Sequence, residues 1–164
     1  MHYASSQRAW HNGVMIIIRP YRENDWSRIC EIHDLARPDE LKGSCDRRAF
    51  IPIEQDEEVD DLKRCLKLVA EHEGRVIGFV GVEDEYLAWL YVHPDFYHRG
   101  VGRRLLRAGL DLTPGKAWTI VLAGNQRALD LYKSEGFFEA RRFESDNAGY
   151  PCTCIRLELE ARHE

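Results

Sequence analysis

Asn125-Gln126-Arg127-Ala128-Leu129-Asp130-Leu131-Tyr132-Lys133-Ser134-Glu135-Gly136-Phe137 decides the fold, together with a stretch that precedes it at short range, Tyr91-Val92-His93-Pro94-Asp95-Phe96-Tyr97-His98-Arg99-Gly100-Val101-Gly102-Arg103-Arg104. At Gly100 and Gly102 the backbone is able to approach a bulky anion closely. The chain then turns helical: Val101, Leu105, Ala108 and Leu112 recur at i, i+4, i+7 and i+11 and make one apolar stripe. A helix that opens on Arg99-Gly-Val-Gly-Arg-Arg presents unpaired N–H groups, the positive end of its dipole and the guanidinium groups of Arg99, Arg103 and Arg104. Such an end suits a pyrophosphate. The earlier stretch therefore reads as a phosphate cradle, and the later one as a helix that carries one phenol, Tyr132.

The kind of anion site is narrowed by what is absent. A dinucleotide fingerprint needs a third glycine where Leu105 stands, and no Gly-Lys-Ser/Thr comes after it as a nucleotide-binding P-loop requires. The two stretches instead resemble the GNAT superfamily of acyl-CoA-dependent N-acyltransferases. There the phosphate loop reads Gln/Arg-x-x-Gly-x-Gly/Ala after a strand and a proline, and a later helix reads Asn-x-x-Ala-x-x-Leu-Tyr-x-x-x-Gly-Phe. Asn125, Ala128, Leu131, Tyr132, Gly136 and Phe137 match the second pattern at every stated position. The first departs at one place, because the family's Gln/Arg falls at Tyr97. The backbone part of the cradle is retained and its side-chain part is not. The resemblance runs from about Ile16 to Leu159.

Composition agrees with one globular domain: 164 residues, 44% hydrophobic and 31% charged, allow a full core. No apolar run approaches the ~20 residues needed to span a bilayer, so no membrane partner is expected. The N-terminus has no charged-then-apolar signal pattern, and a cytoplasmic location is expected. Cysteines at 30, 45, 65, 152 and 154 are odd in number and form no Cys-x-x-Cys, which reads as reduced thiols. The histidines show no His-Glu-x-x-His spacing, so no metal is expected, and His93 and His98, which flank the cradle, read as solvent-facing loop residues. A net charge of −5 argues against nucleic acid and for a small or basic partner.

Along the chain, Met15 to Arg19 alternates as a strand, and Asn24-Asp25 supplies an N-cap for a helix that carries Trp26, Ile29, Ile32 and Leu35 and ends at Arg37-Pro38. Leu68 to Glu73, Gly74, and Arg75 to Val82 read as two strands about a tight turn, followed by a strand from Tyr86 to Val92 that Pro94 closes. Ala117 to Ala123 reads as the next strand and leads into the helix at Asn125. Phe137 to Phe143 and Cys152 to Glu160 read as closing strands. The expected fold is α+β, a mixed and mostly antiparallel sheet of about seven strands with helices on both faces, in the order β-α-α-β-β-β-α-β-α-β-β. Residues 1–13 show no period and read as an N-terminal extension to a single acyl-CoA N-acyltransferase domain, 14–164. An ordered arm anchored by Trp10 is the competing reading. Glu54 to Asp61 is acid-rich and reads as the solvated start of a helix bearing Val59, Leu62 and Leu66, with attraction of a cationic amine as the alternative.

The resemblance implies direct transfer of an acetyl group from acetyl-CoA to a primary amine of a small molecule or peptide. A non-catalytic acyl-CoA-binding regulator is the alternative, a nucleotide-binding module a distant third, and a homodimer one option for the assembly. It implies that Tyr91, Val92, His98, Arg99, Gly100, Val101, Gly102, Arg103, Arg104, Asn125 and Tyr132 hold acetyl-CoA. The Val92 N–H would receive the thioester carbonyl, and Tyr132 would be the general acid that protonates the leaving thiolate. An alkyl ammonium, with pKa about 10.4, must first lose a proton. Glu83 or Glu85, at the turn before the thioester strand, are the base candidates nearest in sequence. The segment Arg37 to Leu66 and a long loop from Ser145 to Pro151 would form the acceptor pocket.

Overall fold

Eight strands form one mixed sheet in the computed structural model, which describes residues 7–11 and 14–161. In chain order the elements are β1 (Gln7–His11), β2 (Val14–Pro20), α1 (Trp26–Leu41), α2 (Val59–Arg64), β3 (Leu66–His72), β4 (Arg75–Glu83), β5 (Tyr86–Val92), α3 (Val101–Leu110), β6 (Ala117–Leu122), α4 (Gln126–Ser134), β7 (Phe138–Asn147) and β8 (Tyr150–Leu159). Their order in space is β1-β2-β3-β4-β5-β6-β8-β7. Every neighbouring pair is antiparallel except β5 and β6, which run parallel. The expected seven strands and four helices are all present, so the fold is the α+β arrangement read from the sequence.

The eighth strand, β1, pairs with β2 in the register Arg8↔Ile17. It falls within the expected extension. Residues 1–6 and 12–13, and the Trp10 side chain on which the anchored-arm reading rests, lie outside the described residues.

Strand β4 is buried from Val76 through Val82 because both faces of the sheet are covered there. On one face α3 and α4 close over Ile18, Leu68, Ile77, Val80 and Leu87 with Val101, Leu105, Leu106, Leu129 and Tyr132. On the other, Ile29 and Ile32 of α1 and Leu62 of α2 pack on Val69, Phe79 and Trp89. A third cluster joins Leu41, at the end of α1, to Leu122, Cys152 and Cys154. The α3 stripe is buried at Val101, Leu105 and Ala108 as expected, with Leu106 beside it, whereas Leu112 lies past the helix end.

Three local expectations are corrected. Helix α1 does not stop at Arg37-Pro38 but continues to Leu41. Pro38 has no N–H to give, yet its carbonyl accepts the N–H of Lys42 at 3.1 Å, and the last turn is held by Leu41, which is fully buried. Asp25 does not cap α1 with its side chain. Its carboxylate accepts the Arg22 N–H at 2.8 Å within the 3-10 turn Glu23–Asp25 that leads into the helix. The stretch Ser145 to Pro151 is no long loop, since β7 runs to Asn147 and β8 starts at Tyr150. Only Ala148 and Gly149 turn, with φ of 49° and 83°, the left-handed pair of a tight hairpin.

Asp25 also anchors the first strand to the first helix. Arg19 grips it with both terminal nitrogens, at 2.8 and 2.9 Å, and its Nε reaches Glu71 of β3 at 2.6 Å. Burial opposes the charge on Asp25, but the Arg19 fork and the Arg22 N–H outweigh it and hold the carboxyl below the usual carboxylate range. The stabilisation is therefore present above the unfolded value of about 3.9 and lost as pH falls through the lower folded value. Asp25→Ala should cost about 3–5 kcal/mol at neutral pH, because it leaves Arg19 buried with half its partners. Thermal melting should show a drop on the order of 10 °C. The variant should also lose less of its remaining stability than the parent below pH 4.

Candidate active site

Strands β5 and β6 touch at one ladder position, Tyr86↔Trp118, and then part. The contact is fastened by stacked Tyr86 and Trp118 rings, 4.0 Å between centroids, and by the Thr119 hydroxyl donating to the Leu87 carbonyl at 2.8 Å. Directly beyond, the β4–β5 register jumps from Val82↔Leu87 to Gly81↔Trp89, so Ala88 is an extra residue in β5. A bulge of this kind bends and twists its strand, and here it turns β5 away from β6. The gap widens into a cleft of about 530 Å³. Ala88, Leu90, Tyr91 and Val92 line it from β5, and Thr119, Ile120 and Val121 from β6.

The same alternation that builds the strand supplies a donor to the gap. His93 gives its N–H to Ile77 of β4 at 2.8 Å. Neighbouring residues of a strand point their N–H groups to opposite edges, so Val92 turns its own away from β4 and towards the parting.

At the wide end, Tyr97, His98, Gly100, Val101, Gly102 and Arg103 form the rim. His98 and Gly100 both have positive φ, 62° and 77°, and that double reversal brings the backbone round into α3. Within α3 the first backbone bond is from Arg104 to the Gly100 carbonyl at 3.2 Å, which leaves the earlier N–H groups of the turn without a helical partner. The side chains behave differently from the expectation. Arg103 is bonded to Glu135 and, at 2.8 Å, to Ser134. Arg104 reaches back to the Ile16 carbonyl at 2.7 Å, and Arg99 lies over the Phe96 ring. Of these three arginines only Arg103 lines the cleft. Tyr97, at the departure from the family pattern, gives its hydroxyl to Asp39 of α1 at 3.1 Å, and Arg127 of α4 stacks 3.7 Å from its ring centroid.

Helix α4 delivers Tyr132 and Asn125. Tyr132 is 5% exposed, lies edge-on to Phe137 and lines the cleft beside Thr119. Burial raises its pKa well above the ordinary phenol value, and the charge of Glu40 adds to the rise, so the phenol keeps its proton at neutral pH. Asn125 lines the cleft and caps α4, its side-chain oxygen accepting the Ala128 N–H at 3.4 Å. Just before it, Gly124 gives its N–H to the Ser44 hydroxyl at 2.8 Å and packs on the Gly43 backbone.

From the opposite face, α1 brings a polar group that the sequence does not nominate. Glu40 lines the cleft; one carboxylate oxygen accepts the Tyr91 hydroxyl and the other pairs with Arg37 at 2.8 Å. Arg37 in turn donates to Asn147 at the β7–β8 hairpin, at 2.9 Å. Tyr91 is thus turned to the α1 side, where it meets the buried His33 ring at 4.9 Å. Burial, reinforced by Glu40, raises the Tyr91 phenol well above its usual value, and burial lowers that of His33. Glu40 is hidden from a sequence reading because the stop signal at Arg37-Pro38 comes before it.

Glu83 and Glu85 are not brought to the cleft. They flank a separate hollow with Asp84, Tyr86 and Trp118 at the far end of β5, where Glu85 pairs with Lys116 at 3.5 Å. Within the acidic run, burial raises the Glu58 carboxyl first and the charge of Asp56 adds to this, while the Arg37 charge opposes it. Among the described residues no cluster of three or more His, Cys, Asp and Glu side chains could hold a metal, and no helix is long and apolar enough to cross a membrane.

Comparison with known proteins agrees with this geometry. Residues 63–139 match the family described as acetyltransferase (GNAT) domain. The peptidyl-lysine N-acetyltransferase YjaB of Salmonella typhimurium is 33% identical over 81 residues, covering 49% of this chain and 55% of that protein. YjaB of Escherichia coli K12 is 29% identical over 114 residues, 66% of this chain and 77% of that one. The aligned part of this chain thus spans about half of the first of these relatives. Among solved structures, a GCN5-related N-acetyltransferase from Rhodopseudomonas palustris superposes with a TM-score of 0.77 over 98% of this chain and 99% of its own, at 20% identity. Another, yncA of Salmonella typhimurium, was solved with its cofactor acetyl-CoA; it has a TM-score of 0.64 and 21% identity over 91% of this chain and 96% of its own.

The position of α4 depends on a backbone contact that can be tested directly. A Cβ on Gly124 would fall inside the van der Waals envelopes of the Gly43 carbonyl oxygen and the Ser44 hydroxyl. Gly124→Ala should therefore push the 43–44 turn off the start of α4 and cost about 1–3 kcal/mol, as overpacking does. A denaturant titration would read this as a lower midpoint at unchanged slope.

Proposed function

This chain belongs to the GNAT superfamily of acyl-CoA-dependent N-acyltransferases, and we propose on that premise that it moves an acetyl group from acetyl-CoA to a primary amine by direct attack. The observation that carries the reading is the cleft itself. A strand parting supplies a backbone donor at Val92, a glycine-opened helix end lies at one mouth, and a buried, protonated phenol stands between them. The volume of about 530 Å³ is in the range of small-molecule and cofactor sites.

In this reading the first turn of α3 receives the pyrophosphate through its N–H groups, and the β5–β6 gap takes the pantetheine arm as a strand would. Val92 points its N–H at the thioester carbonyl, where it is worth most as negative charge develops. Tyr132 gives its proton to the departing thiolate. Burial keeps the proton on Tyr132 in the resting cleft, and a thiolate formed beside it in the same desolvated space has its own basicity raised, which is the condition under which the phenol gives the proton up.

The acceptor enters from the α1 side. Its ammonium must be held and must lose a proton, and we assign the holding to Glu40, the carboxylate that lines the cleft on that face. Tyr91 and Arg37 fix the carboxylate's orientation while leaving lone pairs open to a further donor. With Glu83 and Glu85 at the far end of β5, Glu40 or a water bound to it is the group through which the proton leaves. The relatives called peptidyl-lysine N-acetyltransferase make a lysyl side chain the first acceptor to try. We take residues 14–164 as one catalytic domain, and the five free thiols suit a reducing, cytoplasmic setting.

Two substitutions test the division of labour with acetyl-CoA and a capped lysine peptide. Tyr132→Phe should lower kcat by ~10²–10⁴ with cofactor affinity nearly unchanged. Equal kcat in the two proteins would return Tyr132 to core packing against Phe137. Glu40→Gln should raise the KM for the peptide by about tenfold while the acetyl-CoA affinity stays put, as expected for loss of one charge-assisted contact. Binding of acetyl-CoA with no CoA released for any amine would make the chain an acyl-CoA-binding regulator instead.

A further inference from the structure

We infer that Arg127 supplies the cationic side chain of the phosphate cradle that position 97 no longer provides, and that it takes the pyrophosphate of the acyl-CoA from the α4 side. The inference rests on the acyl-CoA reading of the cleft and adds a residue to it.

The argument begins with a deficit. Arg103 is held by Glu135 and Ser134 near the end of α4, Arg104 reaches the Ile16 carbonyl on the far side of α3, and Arg99 lies over Phe96 outside the lining. Position 97, which faces the opening, carries a phenol instead of a Gln or Arg. A twofold-charged pyrophosphate at the α3 turn would therefore meet backbone dipoles but no dedicated cation from that loop.

Arg127 fills the deficit by position. It stands in the first turn of α4, lines the same cleft as Gly100, Gly102 and Tyr97, and forms no salt bridge among the described residues. Its Cζ lies 3.7 Å from the Tyr97 ring centroid, so the aromatic ring acts as a platform that holds the charge at the rim. Tyr97 is itself braced by its bond to Asp39. A guanidinium has five N–H donors, more than a single tyrosine can engage, so donors remain to fork onto phosphate oxygens. The departure at position 97 thus exchanges a direct contact for a platform, and the contact passes to the neighbouring helix. Arg127 occupies an unspecified position of the Asn125–Phe137 motif, and for that reason the pattern does not announce it.

The test is calorimetric titration of the full chain with CoA, with 3′-dephospho-CoA and with pantetheine, which has no phosphate. Arg127→Gln should weaken CoA and 3′-dephospho-CoA alike by about tenfold or more, the loss of a charge-assisted pair, and leave pantetheine unchanged. The side chain is exposed, so the variant should melt where the parent does. Adding Tyr97→Arg to Arg127→Gln should restore most of the affinity for both nucleotides, since it returns the cation to the loop. Equal affinities of parent and Arg127→Gln for CoA overturn the inference and leave the cleft as an acyl-CoA site. A loss confined to CoA would move the contact to the 3′-phosphate and overturn the pyrophosphate assignment. Failure of the parent chain to bind CoA at all would overturn the acyl-CoA reading, and the inference with it.

Discussion

The separation of β5 from β6 is the constraint on which the rest of the structure depends. Two half-sheets are each satisfied at their other edges, β5 by β4 and β6 by β8 along its whole length from Ala117 to Leu122. They meet at the single ladder position of Tyr86 and Trp118, where the Trp118 N–H on the Glu85 carbonyl is reinforced by ring stacking and the Thr119 hydroxyl. From that hinge onward each strand turns backbone donors and acceptors towards a space that no strand fills. Buried backbone groups without partners are costly, so such a gap persists only if it stays wet or receives an extended ligand that pairs with it. The bulge at Ala88 is what commits β5 to the separation, and it has a second effect. Ala88 and Trp89 both pack on the α1 side, so the alternation resumes with Leu90 and Val92 towards α3 and Tyr91 towards α1. The one inserted residue opens the cleft and aims the side chains that line it.

The two layers then give the cleft different chemistry at its two sides. The α3–α4 side offers a helix end with positive-φ geometry at its approach, and an apolar bed of Val101, Leu105 and Leu129 around Tyr132. The α1 side offers a chain of charged and polar groups from His33 and Tyr91 through Glu40 and Arg37 to Asn147. That chain crosses from the first helix to the last hairpin, elements far apart in sequence. Such a network is stable only when nearly every member is partnered, and it fixes the pocket wall more tightly than apolar contacts would. The Gly124 contact with Gly43 and Ser44 ties the two sides together at the start of α4. The segment after α1 therefore positions the start of α4 as well as the α1 side of the cleft.

Much of this is legible in the sequence because local signals and tertiary needs coincide. The α3 stripe from Val101 to Ala108, the helix that begins at Asn125 and the strands about Gly74 and up to Val92 come from period and turn chemistry and are found there, whereas Leu66, read with the helix before it, opens β3 and Leu112 lies past α3. The features that escape a sequence reading have a common cause. Tyr86-Leu-Ala-Trp-Leu-Tyr-Val is apolar throughout, so no alternation could betray a bulge at Ala88 or tell which rings face which layer. Pro38 is a sound stop signal by local rules, but the burial of Leu41 against β6 and β8 carries the helix one turn further and brings Glu40 into view. The arginines of the cradle read as one cluster because they are adjacent in sequence, while the fold sends Arg103 and Arg104 in opposite directions. Adjacency along a helix start says little about where long side chains end.

The remaining question is how one cleft holds a group that must give a proton and another that must receive a cation without the two cancelling each other. Tyr132 is set by burial first, and the field of Glu40 reaches it as a further contribution in the same direction. A carboxylate on the α1 side thus helps keep the phenol on the α4 side neutral. Tyr91 lies between them and is pushed the same way, by burial and then by Glu40. Arg37 opposes this, but its positive charge is spent on Glu40 and Asn147 and stays on the α1 side. Under the proposed chemistry the arrival of an ammonium at Glu40 offsets the very field that raises Tyr132. A seated ammonium would then leave burial as the main cause that holds the proton on the phenol.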